Sequence, residues 1–78
     1  MTISVRMNVV AFTGRLVPIY EVIGNLDGTP IFLGRMVRND RIGGVNTSHQ
    51  EGALPDRTWT WIPSEEKAVR RMVEHKSL

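Results

Sequence analysis

Thr58-Trp59-Thr60-Trp61-Ile62-Pro63-Ser64-Glu65-Glu66-Lys67-Ala68-Val69 is the stretch whose pattern decides the fold class. Up to Ile62 it alternates, so an extended chain would carry both tryptophans on one face and both threonines on the other. After Pro63 the apolar residues recur at helical spacing. Ser64 can cap a helix through its hydroxyl, and Glu65 and Glu66 fall in the first turn, where the helix dipole favours negative charge. Ala68, Val69, Met72 and Val73 form one apolar stripe, with Glu66, Lys67, Arg70, Arg71 and Glu74 on the other side. A strand over 57–62 therefore runs into a C-terminal helix that should lie on a sheet.

Upstream, Ile3, Val5, Met7, Val9 and Ala11 alternate with Thr2, Ser4, Arg6 and Asn8, the pattern of a half-buried strand. Thr13-Gly14 breaks it, and a second β-rich run follows from Leu16 to Ile23. Pro18 cannot donate to a ladder, so that run should begin at an edge or bulge and pair regularly from Ile19 onward. Asp27-Gly28 favours a two-residue hairpin turn, which would set Ile23 opposite Phe32 and Tyr20 opposite Arg35. Gly34 suggests a bulge or a close backbone approach in the third strand. Asn39 to Asp56 has no periodicity and reads as a long loop, either functional, mobile, or hiding a short strand through Ile42 or Val45. The expected architecture is α+β: an antiparallel sheet of three to four strands with one C-terminal helix packed on one face, in a single domain over 1–78.

Composition narrows the class. A chain of 78 residues buries only roughly 60% of its unfolded surface, so its stability is marginal and homo-oligomer formation could add burial. It has no cysteine, hence no disulfide framework and no thiolate metal site, which makes the cytoplasm the default compartment. No apolar run approaches the roughly 20 residues of a membrane span, and no signal-peptide pattern opens the chain, so neither a membrane nor export is expected. The net charge of +2 is far below that of a dedicated DNA-binding domain. Eight of the ten basic residues are arginine, the side chain best suited to planar carboxylate or phosphate contacts.

Three constellations are candidates for function. Trp59 and Trp61 are expected to pack beneath Met72 and Val69 as part of the core, or else to form an exposed aromatic platform. Arg35, Arg38 and Arg41 gather at the entrance to the long loop, although strand geometry sends Arg35 and Arg38 to opposite faces unless a bulge re-aims them; a solvated, charge-protected edge is the simpler account. Arg70 and Arg71 could extend a basic area or pair with Glu66 and Glu74 on their own helix. His49 and His75 have neither the third group of a triad nor a recognised zinc spacing, so no catalytic residue, metal or cofactor is expected.

Tyr20-Glu21-Val22, the Asp27-Gly28 turn, Arg35, and an aromatic strand entering a helix at Ser64-Glu65-Glu66-Lys67-Ala68 together resemble the arm-binding domains of phage integrases. That resemblance implies a three-stranded sheet backed by a helix and set into the DNA major groove. The long loop before the last strand and the additional N-terminal strand depart from it. The residues themselves favour a small non-catalytic protein-binding module, an inhibitor or adaptor of the phage or mobile-element kind, whose partner could present an acidic surface. A nucleic-acid-binding domain using a basic sheet edge is the alternative.

Overall fold

A computed structural model describes residues 3–51 and 59–76. The order is β1 (Ser4–Phe12), β2 (Pro18–Leu26), β3 (Thr29–Arg38), β4 (Val45–Ser48), β5 (Thr60–Ile62) and α1 (Glu65–His75). The strands form one antiparallel meander in the order β1-β2-β3-β4-β5. The class is α+β as expected, but the sheet has five strands rather than three or four. The additional one, β4, lies within the segment 39–56 that reads as a loop. It is bracketed by Gly43 and Gly44, both at positive φ, and by Asn39, whose Oδ1 accepts from the amides of Arg41 and Ile42 at 3.0 and 3.1 Å. Those contacts close a tight turn and return the chain onto β3.

The Asp27-Gly28 hairpin forms with both residues at positive φ, and Ile23 pairs with Phe32. Tyr20 pairs with Met36 instead of Arg35, because the register shifts by one residue between Val22 and Ile23. Leu33 is the extra residue, and the bulge adjoins Gly34. A Cβ at Gly34 would lie 2.8 Å from the Ser48 carbonyl oxygen and 3.1 Å from Met72 Cε, so only glycine lets β4 and the helix approach this closely. A second bulge in β1 separates Val9 from Ala11. It turns Ala11 onto the face opposite Val5, Met7 and Val9, which ends the sequence alternation one residue early.

The helix begins as its sequence dictates: Ser64 accepts from the Lys67 amide at 3.2 Å, and Glu65 and Glu66 occupy the first turn. It lies across β3, β4 and β5. Val22, Leu33, Met36, Val45, Ile62, Ala68 and Met72 form the buried core, with Ile31, Val69 and Val73 packed around it. The helix does not cover β1, where Val5, Met7 and Val9 remain 36%, 39% and 49% exposed. The expected half-buried first strand is thus an exposed one.

Met72 is fully buried where the helix meets Gly34. Met72→Ala is expected to cost ~2–5 kcal/mol in a chemical-denaturation measurement, a large share of the stability of so small a domain. Gly34→Ala is expected to destabilise as well, since its neighbour is a backbone carbonyl that cannot swing aside.

Candidate functional site

In an antiparallel meander the β1–β2 turn, the β3–β4 turn and the entry to α1 all emerge at the same end of the sheet. The first is tied by Thr13, whose Oγ1 accepts from the amides of Arg15 and Val17 at 3.2 and 3.1 Å and whose own amide donates to the Val17 carbonyl at 2.9 Å. Asn39 ties the second. Rigid turns hold apolar side chains outward here: Phe12, Leu16 and Ile42 are exposed. On the sheet face away from the helix, an open hollow of about 570 Å³ is lined by Ala11, Phe12, Ile19, Val37, Asn46 and Trp59 together with Thr13 and Gly14. A polar notch of about 360 Å³ adjoins it, sharing Thr13, Val37 and Asn46 and adding Arg15, Arg38, Arg41, Asn39 and Asp40. The two make one surface, apolar at its centre and bordered by arginine.

The tryptophans lie on this face of the sheet and not in the core. Ile62 pairs with Val45 and takes the buried position under the helix, so Trp61, its neighbour, pairs with Asn46 on the opposite face. Trp61 is 45% exposed, and its indole N–H donates to the Gly43 carbonyl at 2.9 Å. Trp59, just before β5, lies on the same face in the wall of the hollow. The expectation that both indoles pack beneath Met72 and Val69 is therefore corrected: the branched aliphatic Ile62 fits the shallow space between helix and sheet. Of the chain's five aromatic residues, Phe12, Trp59 and Trp61 stand on this side. Arg57 and Thr58, expected as the start of that strand, lie outside the described residues.

Of the three arginines of β3 and its turn, Arg38 and Arg41 line the same notch and Arg35 does not. Arg35 is only 6% exposed, with its guanidinium 5.8 Å from the Phe32 ring. Arg38 is exposed and reaches Glu65 of α1 at 3.8 Å, a solvent-screened pair of small energetic weight. Arg41 projects from the turn and lines the notch. On the helix Arg70 pairs with Glu66 at 3.3 Å, and exposed Arg71 lies at a separate cleft with His49, Thr47, Thr60 and His75. Sequence reasoning missed Phe12, Arg15, Leu16 and Ile42. The available signal was an apolar residue inside each polar turn, where burial cannot explain it.

The histidines meet although they are far apart in sequence. Their rings stack with centroids 4.0 Å apart and planes 14° from parallel. This fastens the end of β4 to the end of α1, next to the Lys76–Glu51 pair at 3.9 Å. Partial burial pushes the His49 pKa below its ordinary 6.5, and the nearby charges of His75, Arg71 and Lys76 add to that, against an opposing backbone hydrogen bond at Leu33. Among the described residues no three His, Cys, Asp or Glu side chains converge to hold a metal ion, and no helix is long and apolar enough to cross a membrane. Compared with known protein families, curated proteins and solved structures, the chain matches none.

The lowered pKa makes stability depend on pH. Below 6.5 the unfolded chain binds a proton at His49 more readily than the folded one, so stability is full above that pH and declines as pH falls through the lower folded value. The melting temperature is expected to drop between about pH 7.5 and about pH 5.5, and His49→Gln is expected to flatten that drop. An unaltered slope in the variant would remove His49 as its source.

Proposed function

We propose that the chain is a small non-catalytic protein-binding module that acts by occupying a partner's surface, as an inhibitor or adaptor of the kind phages and mobile elements carry. One observation carries this reading: the apolar hollow between Phe12 and Trp59 that runs into the notch of Arg15 and Arg41. An apolar centre with aromatic walls and an arginine border is the composition of an interface hot spot. The partner supplies one apolar side chain to the hollow and a carboxylate beside it to the notch. Mounting these groups on two hydrogen-bonded turns limits the entropy lost on binding.

Nucleic acid is the less favoured partner. A phosphate-tracking surface needs aligned cations, whereas Arg35 is buried and Arg38 and Arg70 lie beside glutamates. The net charge of +2 gives weak long-range attraction.

The test uses Phe12→Ala combined with Arg41→Glu. Both positions are exposed, so folding is expected to change by no more than about 0.5 kcal/mol in thermal or chemical melts. Affinity for the partner recovered from nuclease-treated host extract is expected to fall by about 100-fold or more, roughly 2.7 kcal/mol. Equal affinity of the native and doubly substituted chains would place the binding surface elsewhere. A captured species that disappears with nuclease, and an affinity falling linearly with the logarithm of salt, would replace the protein reading with the nucleic-acid one.

A further inference from the structure

The first strand is the long open edge of the sheet. Among the described residues no strand pairs on the outer side of β1, whose nine residues contrast with the three of β5 at the other edge. Natural edges are commonly protected by proline, lysine or inward-pointing charge. β1 has no proline, no lysine and no acidic residue, its single charge is Arg6, and its one bulge, a further device that protects edges, follows Val9 and leaves Ser4 to Val9 regular. The face it shares with α1 bears Val5, Met7 and Val9, all exposed because the helix lies over β3–β5. Among the described residues this edge thus has no strand partner on its outer side and is apolar along one face.

We propose that β1 pairs with β1 of a second copy, antiparallel and centred on Met7, to give a continuous ten-stranded sheet. The register follows from geometry and charge. Antiparallel hydrogen bonding matches residues whose amides point outward with residues that do the same, so a two-fold axis must pass through a residue, and both helices fall on one face of the joined sheet. An axis at Arg6 would set Arg6 against its own copy, two like charges directly opposed. An axis at Asn8 would bring the bulge after Val9 into the ladder opposite Arg6. The axis at Met7 avoids the first and moves the bulge to the end of the ladder, opposite Ser4. It sets Val5 against Val9 of the second copy and Met7 against Met7 on the helix face, and Arg6 against Asn8 on the other. Apolar side chains then meet apolar ones, and each guanidinium meets a neutral amide acceptor. The second copy also supplies burial that a 78-residue chain lacks.

The absence of cysteine makes the register directly testable, because a single introduced thiol reports on one position. Met7→Cys would lie opposite its own copy, about 4.5–5.5 Å between Cα atoms, within disulfide reach. Val9→Cys and Asn8→Cys would each be offset from their own copies by more than about 7 Å, beyond that reach. On mild oxidation of the full chain, Met7→Cys is expected to form covalent dimer at least about tenfold faster than either control. In sedimentation the native chain is expected to run as a dimer and Met7→Lys as a monomer with unchanged circular dichroism. If Met7→Lys fails to fold, the cysteine series still decides. A native chain that sediments as a monomer at every concentration up to solubility, or equal cross-linking at all three positions, overturns the proposal. The hollow touches β1 only at Ala11 and Phe12, and Arg41 lies in the β3–β4 turn, so Arg41→Glu is expected to leave the dimer intact whatever it does to partner binding.

Discussion

The seat of Met72 against Gly34 determines where the helix lies, and the exposed surfaces follow from that placement. With no Cβ at Gly34, the Met72 thioether reaches the sheet at the bulge while the Ser48 carbonyl closes in from β4. A helix is about 10 Å across and strands are about 4.8 Å apart, so one helix covers two or three strands. Centred over β3–β5, α1 completes a core with Val45 and Ile62 and leaves β1 beyond its reach. The apolar face of β1 is therefore exposed by geometry, despite a sequence pattern that would suit burial.

Two bulges set which residues share a surface. The one at Leu33 turns the third strand so that Met36 and Gly34 both meet the helix, while Arg35 goes to the far side. The one after Val9 moves Ala11 to that same far side, next to Ile19 and Val37, where it forms part of the hollow. Each extra residue exchanges faces for everything beyond it, since side chains alternate along a strand. The division of labour between a helix-bearing face and an aromatic face rests on these two irregularities.

The candidate surfaces differ in character. The hollow and its notch combine aromatic side chains, arginine and rigid turns at one end of the molecule, features suited to a specific partner. The β1 edge offers backbone groups and a plain aliphatic stripe, which suit a second copy whose pairing is governed by register. Neither uses the stacked histidines, which join β4 to the helix terminus and give the fold a dependence on pH at a third place.

Local elements were legible in the sequence because local chemistry specifies them. Ser64, Glu65 and Glu66 start the helix, its stripe marks the buried side, and Asp27-Gly28 makes the first hairpin wherever the rest of the chain goes. β4 was legible only as the alternative of a short strand through Val45, because residues 45–48 show no hydrophobic alternation; Thr47 and Ser48 are buried because β3, β5 and α1 close around them, with the Thr47 hydroxyl donating to the Thr60 carbonyl at 3.2 Å. Alternation did separate Arg35 from Arg38, as the sequence implies, because both lie beyond the bulge at Leu33; the reach of Arg38 to Glu65, 27 residues further along, was not legible. Alternation alone put Trp59 and Trp61 on a common face, but a strand has two faces and its own residues do not say which one meets the helix. Tertiary structure made that choice through the pairing of Ile62 with Val45, because one compact aliphatic side chain fills the space beneath Ala68 and Met72 and leaves the larger indoles on the other face.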